Sequence, residues 1–174
     1  MNKFVFIDEM GSNLALARLC GRAAPGLRVV DEVPGARGEN VSTIGALSLD
    51  GVRAAWSLPG AVNGEIFLLF VQQALAPKLN PGEIVFMDNV PTHKVDGVEE
   101  AIEAVGARVE YLPAYSPDLS PIENFWSKVK TFLRSLGARN LKDLFTALKQ
   151  AFATVTLEDI VGWFIHCGYQ AAPN

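Results

Sequence analysis

The apolar period of this chain changes near residue 63, from strand runs alone to helices interleaved with strands, and that change restricts its packing more than any other feature. Before it, short apolar runs over residues 3–8, 14–19, 41–49 and 52–58 read as strands. The last two are joined by Asp50-Gly51, a dipeptide that tolerates the left-handed backbone of a tight hairpin. After it, apolar residues recur at helical spacing over 63–79 and are closed by Asn80-Pro81-Gly82. A buried strand at 84–88, a helix at 95–105 ending at Gly106 and a strand at 108–112 come next, then helices at 121–136, 141–155 and 157–167. An antiparallel meander followed by strand-helix-strand and terminal helices predicts one mixed sheet with helices on its faces. Residues 23–40, rich in Gly, Pro and Arg, read as an excursion loop inside that domain rather than as a linker.

Composition narrows the function classes. With 174 residues, 49% hydrophobic and 20% charged, the chain suits a single globular domain with a substantial core. Cys20 and Cys167 are far apart and form no C-x-x-C pair, so neither a zinc site nor a disulfide framework is expected, and a reducing, cytoplasmic setting is the default. Asp8 and Glu9 interrupt the one early apolar stretch, and the longest apolar run, 66–71, is too short for a bilayer, so no membrane association is expected. A net charge of −4 argues mildly against nucleic acid, yet residues 124–142 hold Lys128, Lys130, Arg134, Arg139 and Lys142 and no acid.

Three acids stand where apolar segments stop or start. Asp8 ends the run Phe4-Val5-Phe6-Ile7, Asp88 ends Ile84-Val85-Phe86-Met87, and Glu123 opens an amphipathic segment. If the first strand and the one after the crossover helix are parallel neighbours, Asp8 and Asp88 converge at one end of the sheet. Carboxylates so presented can hold two hard cations roughly 3.5–4 Å apart, Mg²⁺ or Mn²⁺ rather than Zn²⁺, the arrangement suited to phosphoryl transfer. Each acid also has an ordinary reading. An Asp after a strand turns the backbone. Ser120-Pro121-Ile122-Glu123 has the form of a capping box, with Glu123 at N3 reaching back to Ser120. The helix that follows carries Phe125, Val129, Phe132 and Leu136 as an apolar stripe, with Glu123, Ser127, Lys130 and Arg134 opposite, which suits a metal ligand bordered by phosphate contacts. Asn89 beside Asp88 is placed to orient it, His93 could face a phosphate or a proton in transfer, and Asp118 reads as a turn residue.

Phe6-Ile7-Asp8-Glu9, Val85-Phe86-Met87-Asp88-Asn89 with His93-Lys94, and Leu112-Pro113-Ala114-Tyr115-Ser116-Pro117-Asp118-Leu119-Ser120-Pro121-Ile122-Glu123-Asn124-Phe125-Trp126 resemble the acidic motifs of DDE transposases, in particular the bacterial insertion-sequence branch of the mariner superfamily. Thirty-four residues lie between Asp88 and Glu123, an interval typical of that branch, although Ser120 stands where the family usually has Asn. The resemblance implies an α/β, RNase H-like (retroviral-integrase-like) fold with a mixed five-stranded sheet flanked by helices. Its core would span about 3–136, with C-terminal helices at about 141–167, in one catalytic domain of 1–174.

The resemblance further implies Asp8, Asp88 and Glu123 as catalytic ligands of a two-ion Mg²⁺ or Mn²⁺ site, with Asn89 and His93 supporting them. Lys94, Ser127, Lys130 and Arg134 would contact DNA. The implied reaction is cleavage at transposon ends and joining of the 3′-hydroxyl to target DNA, typically at TA, by a protein that can dimerise in the DNA complex. Family members carry a helix-turn-helix region before the first catalytic strand, and no such pattern precedes Phe4, so a separate or fused module of that kind is an expected partner. The competing readings are another RNase H-like nuclease, or a silent remnant that binds only DNA or protein.

Overall fold

The computed structural model describes residues 3–169. Five strands form one sheet: β1 (Phe4–Asn13), β2 (Asn40–Ser48), β3 (Gly51–Pro59), β4 (Ile84–Met87) and β5 (Arg108–Tyr111), in the order β3-β2-β1-β4-β5. The first three are antiparallel, whereas β1-β4 and β4-β5 are parallel. The mixed sheet expected from the order of periodicities is therefore present. One helix, α1 (Gly64–Phe70), continues through a wider turn over Val71–Leu75 and a 3₁₀ turn over Ala76–Lys78, so the single helix expected over 63–79 is irregular in its second half. It starts where Asn63 accepts a hydrogen bond from the Ile66 N–H. The crossover helix α2 (Val98–Glu103) is shorter than the 95–105 expected, because a separate 3₁₀ turn takes up Pro91–Lys94.

Two expectations about β1 are corrected. Residues 14–19 form no strand, and Asp8 does not end one. The reason is pairing: β1 matches β2 from Val5–Ser48 to Asn13–Asn40, whereas its parallel register with β4 stops at Phe6–Phe86. The strand therefore continues to Asn13, past the end of its parallel neighbour and paired on one side only, and the chain turns at Leu14-Ala15, where the second strand was expected to start.

Each face of the sheet has its own helical cover. Val5, Ile7, Ile44, Ala46, Val85 and Met87 pack with Phe67, Phe70, Val98 and Ile102 of α1 and α2. Phe6, Met10, Val41 and Leu47 pack under α3 (Pro121–Leu136), α4 (Leu141–Ala153) and α5 (Leu157–His166). The buried face of α3 is Ile122, Phe125, Trp126, Val129 and Leu133; Leu136, assigned to that stripe from spacing, is exposed, and Phe132 only half-buried. No helix among the described residues is long and apolar enough to cross a membrane.

Two of the five basic residues in 124–142 serve the fold. Arg139 donates to the carbonyls of Leu14 and Leu16 and holds the segment leaving β1. Lys128 donates to Asp159 at 2.5 Å, and Asp159 also completes a capping box with Thr156 at the start of α5. These bonds hold the Asp159 carboxyl down at about 2. A carboxyl depressed on folding stabilises the fold above its unfolded value and loses that contribution as pH falls through the folded value. Asp159→Asn should therefore melt about 2–4 °C below the parent at neutral pH. That gap should close between pH 4 and 2, as read by thermal melts across pH; a gap independent of pH would refute the pairing.

Candidate active site

Strand alternation assigns the acids to their faces. Phe6 and Met10 point toward α3, so Asp8 between them does too, while Ile7 and Glu9 point to the α1 face. On β4, Phe86 stacks on Phe6 at 5.0 Å, and Asp88 follows two residues later. Two residues beyond the register pair Phe6–Phe86, Asp8 and Asp88 therefore stand level, at the place where β1 and β4 part. Glu123 on the first turn of α3 completes the set. All three line one cavity of about 390 Å³, roofed by Leu112 and the loop through Pro113, Tyr115 and Pro117.

Glu123 faces this cavity and not its own helix end. Ser120 is the N-cap and Pro121 stands at N1, as expected, but no side-chain capping bond forms, so the capping box read from the sequence is absent. The Ser120 carbonyl instead accepts the Glu123 N–H at 3.1 Å, and the carboxylate makes no hydrogen bond among the described residues. A tight backbone turn stands where the side-chain cap was expected, and Glu123 is exposed.

The two aspartates are held from behind by different groups. His93 is fully buried, stacked on Phe67 with ring centroids 4.3 Å apart. Its Nδ1–H donates to Asp88 Oδ1 at 2.6 Å and its Nε2–H to Glu9 Oε2 at 2.8 Å. Burial alone would lower its pKa; the carboxylates of Asp88 and Glu9 outweigh that and push it up to about 10, so the ring is an imidazolium bridging two acids. Asp8 is held by Trp126, whose indole N–H donates to Oδ2 at 3.1 Å. Burial drives the Asp8 carboxyl up to about 7; the Glu9 N–H bonded to it lowers it in part, and the charges of Glu123, Glu9 and Asp88 raise it further. The site thus crowds negative charge around a half-buried carboxyl whose one side-chain hydrogen bond among the described residues comes from a neutral donor.

The remaining sequence candidates lie less centrally. Asn89 lines the cavity, but no hydrogen bond among the described residues joins its amide to Asp88. Lys94 turns away, its Nζ 5.0 Å from the centre of the Tyr111 ring and beside Asp96, Glu99 and Glu100. Ser127 lines a separate groove with Lys128, Asp159 and Trp163, while Lys130 and Arg134 are half-buried along α3. Sequence reasoning assigned no role to Glu9 or Trp126. The signal for Glu9 was its place next to Asp8 on a strand, which puts it on the opposite face; the indole N–H of a core tryptophan leaves no such signal.

The comparisons with known proteins bear on the family and the fold. A family model described as DDE superfamily endonuclease matches residues 3–145. No curated protein sequence matches. Among solved structures, the Mos1 transposase paired-end complex with left transposon end superposes with a TM-score of 0.75 at 21% identity, over 95% of this chain and 52% of that one. The Mos1 transposase catalytic domain with Raltegravir and Mg superposes with a TM-score of 0.67 at 18% identity, over 96% of this chain and 77% of that one. The chain thus spans about half the length of the first transposase it resembles, and the likeness establishes the RNase H-like fold. On the extent of the family match, the chain belongs to the DDE superfamily endonucleases.

Proposed function

We propose that this chain is the catalytic domain of a DNA transposase that cuts phosphodiesters at transposon ends and joins the 3′-hydroxyl to target DNA. The observation that carries the reading is the level placement of Asp8 and Asp88 at the parting of β1 and β4, with Glu123 across the same cavity. The donor set fits a hard dication: every candidate ligand is a carboxylate oxygen, and the charges of Glu123, Glu9 and Asp88 converge on Asp8. Among the described residues no three such groups close into a ready-made cage. Glu123, exposed and unbonded, can complete the set by rotation. Mos1 complexes solved with Mg and with Mn support the choice of Mg²⁺ or Mn²⁺. Bound there, the ions would activate the attacking oxygen and stabilise the leaving one.

The chain's own residues do the rest. The His93 imidazolium takes one oxygen of Asp88 and the carboxylate of Glu9, which limits repulsion within the site and directs the free oxygen of Asp88 into the cavity. Ile7, Leu112 and Pro113 wall the cavity, and Asp88 and Glu123 stay open to solvent, where a phosphate can reach them. Lys130 and Arg134, half-buried further along α3 and outside the cavity lining, would serve as phosphate contacts for the flanking DNA. DNA binding should fall steeply with salt, and Lys130→Ala or Arg134→Ala should each reduce the log-log slope by about one. Binding that ignores salt would contradict this. The function itself is tested by incubating the chain, alone or fused to an end-recognising module, with duplex DNA carrying the element's ends. Nicking and strand joining with Mg²⁺ but not with EDTA is expected, and DNA left intact by a folded, DNA-bound chain in Mg²⁺ and in Mn²⁺ would overturn the reading.

A further inference from the structure

Trp126, buried on α3, donates a hydrogen bond to Asp8 at the edge of the carboxylate cavity, and β2 is shaped to let it. Asp8 on β1 stands directly opposite Gly45 on β2. A Cβ at Gly45 would lie 2.6 Å from Cη2 and 2.9 Å from Cζ2 of the indole, so the ring occupies the space a side chain would take. Gly45 is not among the glycines with positive φ, so its backbone makes no demand for glycine. What demands it is the ring. Trp126 is 2% exposed and packs on Phe125 with centroids 4.6 Å apart, which fixes its plane.

We propose that Trp126 is a positioning residue for Asp8: its N–H holds one carboxylate oxygen, so the other is presented to a cation, and Gly45 is the recess that admits the ring. The inference rests on the metal reading above. An indole suits the task because it can only donate, cannot turn to accept, and brings no positive charge to compete with a dication, as Lys or Arg would. The same bond also satisfies a buried indole, which needs an acceptor of its own. The two roles differ in what they predict for metal affinity.

The test is titration of the full chain with Mn²⁺ alone, followed by the resonance of free Mn²⁺, and repeated with a duplex oligonucleotide present. Trp126→Phe should bind Mn²⁺ at least about tenfold more weakly. Gly45→Ala, which keeps the tryptophan but displaces it, should do the same. The double variant should be no worse than either single one, because both break one contact. Replacing the indole with its sulfur isostere, benzothiophene, keeps the volume and removes only the N–H, so it reads the bond in a chain that packs as the parent does. It too should lose about tenfold in Mn²⁺ affinity, with little change in melting temperature. Parent-like Mn²⁺ affinity in the isostere or in Gly45→Ala would overturn the proposal and leave the metal reading intact. A parent that binds no Mn²⁺ with or without DNA would overturn both.

Discussion

Glu123→Gln should lose about a thousandfold in Mg²⁺-dependent strand cleavage while the protein stays folded. The amide is a poor ligand for a hard dication, and losing several kcal/mol of transition-state stabilisation gives a factor of that size. Glu123→Ala should behave almost identically, because no capping bond exists for it to break. The only structural loss is a negative charge in the first turn of α3, worth about 0.3–1 kcal/mol, or about 1–4 °C in melting temperature. Had the capping box formed, Ala would have melted well below Gln. The comparison of the two variants by cleavage and by thermal melt therefore checks both the chemistry and the turn. Cleavage at the parent's rate by either one would remove Glu123 from the site and make Asp118, in the turn just before α3, the next residue to examine.

The largest effect on stability is expected at His93. His93→Ala should lower stability by about 3 kcal/mol, or about 6–12 °C, since it opens a cavity against Phe67 and leaves Glu9 and Asp88 facing each other without the cation between them. Glu9→Gln should cost less, because the amide oxygen can still accept from Nε2. Thermal melts in the absence of metal read this directly. A His93→Ala variant melting within about 2 °C of the parent would show that the bridge contributes nothing. Because Asp88 loses its support as well, Mn²⁺ affinity should fall in the same variant by about tenfold.

What the sequence revealed and what it hid follow from the range of the interactions involved. Strand and helix periods are local, so the hairpin at Asp50-Gly51, β4, β5 and the three terminal helices stood out, and the order of periods implied the mixed sheet. The length of β1 was hidden, because it is set by the chain that leaves at residue 14 and returns at residue 40 as β2 to pair with Gly11, Ser12 and Asn13. The three cavity carboxylates were visible from their positions at segment ends and from the motif around Glu123. Their supports were not. Glu9–His93 and Asp8–Trp126 join residues 84 and 118 apart, and neither pairing has a spacing rule. The capping box misled for a related reason: Ser-x-x-Glu satisfies the local rule, but Ser120 and Glu123 both line the cavity and no side-chain bond joins them.

The most direct measurement is anomalous scattering from crystals of the chain grown with Mn²⁺ and a duplex oligonucleotide whose phosphates can complete a metal shell. The account predicts a peak bridging the carboxylates of Asp8 and Asp88, with Glu123 rotated toward the ion or toward a second peak beside it, and with the Trp126 and His93 hydrogen bonds retained. An ordered site with DNA in the cavity and no peak within coordination distance of Asp8 or Asp88 would contradict it.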